Sequence, residues 1–290
     1  MIPRSWLFVP GDSPSKMEKA LGSGADALIL DLEDSVGAEA KGDARHAVRN
    51  LLRRRLNSRA PQLWVRINPL ATPDAALDLS VVAPHRPDGI VLPKPDSADE
   101  VRRLGDLLRA HEAGTVDSPI PILPIATETP LSVFNLHSYS TAGPRLAALT
   151  WGAEDLSSAV GATTYRTESG VFTPLYDMAR ALVIAAAAAA DVPAIETVYP
   201  AFRDLDGLAT YAASGRRDGF TGMMAIHPAQ IPVINAAFTP TLAELDEARQ
   251  IVTLFEGSPG SGVLSFNGRM LDAPHLKQAR RLLARVRPAS

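Results

Sequence analysis

Short apolar runs alternate with longer stretches of helical periodicity over the first 240 residues. The runs lie at Trp6–Val9, Ala27–Leu30, Leu63–Ile67, Gly89–Leu92, Ile122–Ile125, Leu146–Trp151, Ala194–Glu196 and Met223–Ile226, each bounded by Gly, Pro or an acid. Runs of that length with those boundaries predict eight strands. Between them, Ser15–Leu21, Lys41–Arg55, Ser97–Glu112, Thr173–Ala190 and Asp204–Ser214 predict helices, several opened by a Ser, Thr or Asp cap. Eight βα units point to an α/β fold, a TIM (β/α)8 barrel, with a doubly wound sheet as the alternative. The pattern changes near residue 241. A helix is predicted at Leu242–Phe255, then a Gly/Ser-rich link at Gly257–Gly262, a strand at Val263–Phe266 and a last helix from Pro274. The expected division is a barrel over residues 1–240 and a flexibly attached C-terminal lid over 241–290.

Composition excludes several classes. Of 290 residues, 46% are hydrophobic and 21% charged, which supports a large core and rules out disorder. Net charge is -3, so no global field draws nucleic acid or an anionic membrane. Arg53-Arg54-Arg55, with Arg59, reads as a solvated helix end. Cysteine is absent, which removes disulfides, thiolate catalysis and zinc–cysteine sites. The apolar run Ala181–Ala190 is too short to span a bilayer, and the N-terminus has no signal-peptide pattern, so the expected compartment is the cytoplasm. No GxGxxG or GxxxxGK[ST] phosphate motif occurs.

On a TIM barrel, chemistry sits just past the strands. Polar residues gather there, at Pro10-Gly11-Asp12, Asp31-Leu32-Glu33-Asp34, Arg66-Ile67-Asn68, Pro93-Lys94, Glu128-Thr129, Gly152-Ala153-Glu154-Asp155 and His227-Pro228. Glu128 and Asp155 follow neighbouring strands and suit a magnesium ion that takes its other ligands from water and substrate. The alternative is that both cap helices. The turn Gly152-Ala153-Glu154 turns backbone N–H groups toward an anionic substrate. Arg66 offers a fork for a carboxylate or enolate oxygen, or else forms a structural ion pair. Asp31, Glu33 and Asp34 are candidates to support metal waters or to hold the loop. His227 reads as a cap or core histidine, and spacing alone makes Asp272 an N-cap.

The segments Leu7-Phe8-Val9-Pro10-Gly11, Asp31-Leu32-Glu33-Asp34-Ser35-Val36, Val65-Arg66-Ile67-Asn68, Glu128-Thr129, Trp151-Gly152-Ala153-Glu154-Asp155 and Ala225-Ile226-His227-Pro228 together resemble the citrate lyase beta-subunit-like family across nearly the whole chain. That resemblance implies a TIM barrel with magnesium, or manganese, on Glu128 and Asp155, and Arg66 beside a developing enolate. It makes Asp272 the acid-base group, carried on a lid that reaches a neighbouring copy in a homotrimer or hexamer. Phe8 and Lys19 fit positions that contact CoA, the substrate carrier. Ser13, Met223 and Ala201 replace an arginine, a lysine and an acid found in relatives. The implied reaction is cleavage or formation of a short β-hydroxyacyl-CoA, such as malyl-CoA or citramalyl-CoA, with glyoxylate or pyruvate as the keto acid. Thioester hydrolysis, and a citryl-cleaving subunit served by an acyl-carrier protein, are the alternatives.

Overall fold

The computed structural model describes residues 2–54, 61–112 and 118–285. All eight expected strands form: β1 (Ser5–Pro10), β2 (Ala27–Asp31), β3 (Gln62–Arg66), β4 (Gly89–Leu92), β5 (Ile122–Pro124), β6 (Leu149–Thr150), β7 (Ala194–Glu196) and β8 (Gly222–Ala225). They pair in parallel in the order β5-β4-β3-β2-β1-β8-β7-β6. Bridges from Ile122 to Leu146 and from Ile125 to Thr150 bring the outer strands together into a nearly closed barrel. Helices α1 (Pro14–Leu21), α2 (Lys41–Arg54), α3 (Pro73–Val82), α4 (Ala98–His111), α5 (Pro130–Phe134), α6 (Ala153–Ala159), α7 (Pro174–Ala189), α8 (Leu205–Asp218) and α9 (Ile231–Phe238) alternate with the strands in a TIM-like α/β architecture.

Strand β6 is shorter than its apolar run. Along β5, Ile122 donates to Arg145 and Ala126 to Thr150, so alternate residues face β6. The residue between them is Pro124, which has no N–H to donate, and the ladder is interrupted there. Arg53 and Arg54 end α2 exposed, as expected, while Arg55 and Arg59 lie outside the described residues. The alanine-rich run forms most of α7, which buries Tyr176, Ala179, Val183, Ala186 and Ala187. Among the described residues no helix is long and apolar enough to cross a membrane.

Period-two alternation divides the barrel's core. Leu7, Val9, Leu28, Leu30, Leu63 and Val65 join the layer packed with the surrounding helices. Trp6, Ala27, Ile29, Trp64, Val91, Leu123, Ile195 and Met224 form a second, interior cluster, with Phe8 and Val198 packed on it. Met223, one residue from Met224, faces the outer layer and is fully buried there.

By contacts, Pro3–Phe238 form one compact unit and the chain from Thr239 onward belongs to another. In the latter, α10 (Leu242–Glu256) and α11 (Ala273–Leu283) flank an antiparallel hairpin of β9 (Val263–Phe266) and β10 (Arg269–Asp272). Strand β10 is an addition to the strands expected above. Ala248, Ile251, Leu271 and Ala279 bury one another, so the Gly/Ser link joins elements of a small packed core.

Candidate active site

The carboxyl ends of the strands converge on a cavity of about 330 Å³. Its lining includes Phe8 and Pro10 from β1, Asp31 from β2, Arg66 from β3, Glu128 after β5, Trp151 to Asp155 after β6, and Met224 and Ile226 at β8. Asp31 follows Ile29 by two residues and Arg66 follows Trp64 by two, so alternation points both into the barrel mouth. The β2–β3 register sets them side by side. Arg66 forks onto Asp31, with Nε–Oδ1 and Nη2–Oδ2 both 2.7 Å, and its Nη1 lies 2.9 Å from Glu33. The guanidinium also lies over the Phe8 ring, 4.8 Å from its centroid.

Asp31 accepts further hydrogen bonds from the N–H groups of Glu33 (2.9 Å) and Ser35 (3.1 Å), so it holds the loop after β2 as well as Arg66. Burial opposes its charge most, but Arg66 and the hydrogen bonds from Ser35 and Glu33 together outweigh burial and keep the Asp31 carboxyl below its ordinary range. In Glu33 burial wins, despite Arg66 and Lys94, and the carboxyl is pushed up.

Lys94, after β4, has the largest unanticipated part. Its ammonium pairs with Glu33, with Asp34 at 2.9 Å and with Asp155 at 3.2 Å, while its backbone N–H donates to Glu128 Oε2 at 2.7 Å. Its φ is +52°, an uncommon conformation for a non-glycine residue.

Glu128 is buried, and its carboxyl is pushed well above its ordinary range, first by desolvation and then by the negative charges of Asp155 and Glu33. Among the described residues, the ion pairs of Asp31, Glu33, Asp34 and Asp155 are made with Arg66 and Lys94, and Glu128 is held by the same two. That deficit of positive charge, with two hard oxygen donors, fits a divalent cation of the magnesium type. Among the described residues no three His, Cys, Asp or Glu gather as metal ligands, so the candidate donors are this carboxylate pair. Gly152 leaves the necessary room: a Cβ there would lie 3.0 Å from Glu128 Cγ.

Gly152 is the N-cap of α6, and Ala153, Glu154 and Asp155 form its first turn. Glu154 accepts from the Tyr165 hydroxyl at 3.2 Å. Trp151 donates to buried Glu196 (2.7 Å), itself bound to Arg180 (2.8 Å), a network without a counterpart in the sequence reading. Lys19 is exposed on α1, outside the cavity lining. Met223 and Ser13 lie outside that lining too, and so does Ala201. His227 caps the turn that follows it, accepting from Ala229 N–H at 3.1 Å. Asp272 occupies the N-cap position of α11, its Oδ1 2.5 Å from His275 Nδ1.

The HpcH/HpaI aldolase/citrate lyase family model matches residues 4–228. A mitochondrial citramalyl-CoA lyase of Mus musculus is 32% identical over 97% of this chain and 85% of its own length. A (3S)-malyl-CoA thioesterase of Cereibacter sphaeroides is 33% identical over 98% of this chain and 94% of its own. Among solved structures, CitE from Mycobacterium tuberculosis in complex with magnesium, acetoacetate and coenzyme A superposes with a TM-score of 0.78. It is 30% identical, over 97% of each chain.

Proposed function

Because the chain belongs to the HpcH/HpaI aldolase/citrate lyase family, we propose that it is a magnesium-dependent carbon–carbon lyase for a short β-hydroxyacyl-CoA. Malyl-CoA and citramalyl-CoA are the candidate substrates, cleaved to acetyl-CoA and glyoxylate or pyruvate. The observation that supports this best is the Glu128–Asp155 carboxylate pair in a cavity short of positive charge. The relatives that share the fold include one named for citramalyl-CoA cleavage and one solved with magnesium and coenzyme A.

Glu128 and Asp155 would hold the metal. When bound, magnesium or manganese supplies positive charge to the hydroxyl and carboxylate oxygens of the 2-hydroxy acid end. Arg66, fixed by Asp31 and Glu33, is pre-oriented toward the oxygen on which enolate charge develops as the carbon–carbon bond breaks. Lys94 tethers the loop carrying Glu33 and Asp34 to Asp155, and its N–H orients Glu128. The N–H groups of Ala153 and Glu154 favour the substrate's carboxylate, whereas that of Gly152 is engaged, donating to Thr127 Oγ1 at 3.2 Å. Phe8 gives the acyl chain an apolar wall, and Lys19 is the cation offered to the CoA moiety. Asp272 protonates the enolate carbon in cleavage and deprotonates acetyl-CoA in condensation. It reaches the site from a neighbouring copy in a homotrimer or hexamer, and the working compartment is the cytoplasm.

Product analysis by mass spectrometry, with racemic malyl-CoA and citramalyl-CoA in magnesium and in chelator, tests the reading. Metal-dependent acetyl-CoA with glyoxylate or pyruvate is expected. Free CoA with malate or citramalate would instead make the protein a thioesterase, the activity in the name of its Cereibacter relative. Turnover only when an acyl-carrier protein delivers the substrate would make it a carrier-dependent subunit.

A further inference from the structure

The turn that carries Asp155 begins at Trp151 and Gly152, and it is gripped from the strands on both sides. On the β5 side, the Thr127 hydroxyl accepts from Gly152 N–H at 3.2 Å. Thr127 directly precedes Glu128, so this bond ties the turn to the neighbour of the other candidate ligand. On the β7 side, the Trp151 indole N–H donates to Glu196 Oε1 at 2.7 Å. The same oxygen accepts from Thr197 N–H at 3.0 Å, which links the indole to the backbone at the end of β7. Trp151 and Thr197 line the cavity, whereas Glu196 lies outside the lining and is completely buried.

Glu196 is itself held fast. Its Oε2 accepts from Arg180 Nε at 2.8 Å, and Arg180 Nη1 reaches Asp218 at 2.8 Å. Gly215 closes the space around that oxygen, since a Cβ there would lie 3.0 Å from Oε2. Trp151 meets Phe172 edge-on, with ring centroids 5.1 Å apart. Phe172 lies on the loop between α6 and α7, which folds back through an Arg166–Phe172 bridge and sets the Arg166 guanidinium carbon 3.8 Å from the same ring. Taking a carboxylate wholly out of water is costly, and replacing a buried ion pair by apolar side chains is often no loss to stability. What the carboxylate adds is a short, directional, charge-assisted hydrogen bond that admits one orientation of the indole. Asp155 follows Trp151 by four residues, within the first turn of α6, so a shift of the indole carries Asp155 with it.

We propose that Glu196 is a positioning residue for the metal centre: through the Trp151 indole it fixes the start of α6 so that Asp155 and Glu128 can share one divalent cation. It contributes no atom to the reaction and acts only by holding Trp151. The inference rests on the reading of Glu128 and Asp155 as metal ligands, but not on which acyl-CoA is cleaved there.

Calorimetric magnesium titration of the full chain, with urea unfolding in chelator alongside, tests this. Trp151→Phe keeps an aromatic ring and removes the N–H donor, while Glu196→Gln keeps the volume and removes the charge. Each should weaken magnesium binding about tenfold, the lower end for partners that orient metal ligands. The double variant should bind within about twofold of the weaker single one, because both changes break the same hydrogen bond. Magnesium affinity within about twofold of the unmodified protein in both single variants, with lowered urea midpoints, overturns the proposal, since the network then holds only the fold. Losses that multiply to about 100-fold in the double variant overturn it as well, since the two residues would then act separately. Should Glu196→Gln not fold, Trp151→Phe alone decides by the same limit. An unmodified protein that takes up no magnesium refutes the metal-ligand reading and this inference with it, a result distinct from uptake that neither variant alters.

Discussion

Gly152→Ala isolates the position of the Glu128 carboxylate. Gly152 has φ -127° and ψ 125°, which alanine adopts freely, so the substitution introduces no backbone strain. The new Cβ would lie 3.0 Å from Glu128 Cγ, 3.2 Å from its Oε1 and 3.4 Å from Ile125 Cγ2. Carbon atoms prefer about 3.5–4.0 Å, so the glutamate must retreat by roughly half an ångström. Its other oxygen is tied to Lys94 N–H at 2.7 Å, and the side chain is buried, so retreat means turning away from the cavity or weakening that bond. Overpacking of this kind costs about 1–3 kcal/mol. Without metal the carboxylate turns and relieves most of it; with metal it must return. Metal affinity therefore absorbs the cost and should fall on the order of 10- to 100-fold, while stability in chelator changes by less than about 1 kcal/mol. Calorimetric magnesium titration and urea unfolding of the two proteins measure both quantities. Unchanged metal affinity together with a loss of about 1–3 kcal/mol in chelator would show that the core takes up the strain and that Glu128 does not hold the ion.

Asp272→Ala should leave magnesium and keto acid binding within about twofold and lower turnover at least 100-fold, the scale of general acid-base catalysis; full activity would return Asp272 to a helix cap alone. Glu112 joins Arg145 by two bonds, 2.8 and 2.6 Å, and accepts from Ile120 N–H at 2.7 Å. Its hydrogen bond to Arg145 holds its carboxyl below the ordinary 4.5 despite partial burial. A depressed carboxyl pKa contributes stability above 4.5 that is lost as pH falls through the folded-state value. Glu112→Gln should cost roughly 1 kcal/mol at neutral pH, and urea melts should show that gap closing below 4.5. A gap of constant size across that range would contradict the assignment.

The barrel was readable because its strands are buried on both faces and end in Gly, Pro or an acid, which leaves each as a short, bounded apolar run. What escaped depends on contacts remote in sequence or on local turn chemistry. Lys94 meets Glu33 across 61 positions, and no periodicity announces such a pair. Arg166 lies in a stretch with no regular pattern and acquires its aromatic neighbour only when the loop folds back. Strand β10 did carry a signal: Asn267-Gly268, both at positive φ (48° and 75°), is the dipeptide of a tight hairpin turn.

Asp31 and Arg66 were legible for a deeper reason, since the pattern that builds the core also delivers the site. The two-residue period that puts Ile29 and Trp64 in the barrel interior carries on to Asp31 and Arg66 at its mouth, paired in register. Sliding β3 by one residue against β2 would turn Trp64 toward the helices and take Arg66 away from Asp31 at once. Such a slip would leave both Asp31 and Trp64 in unsuitable surroundings, so the apolar packing below the cavity enforces the ion pair above it. The energy that fixes Arg66 at the cavity mouth thus comes largely from the buried apolar side chains beneath it.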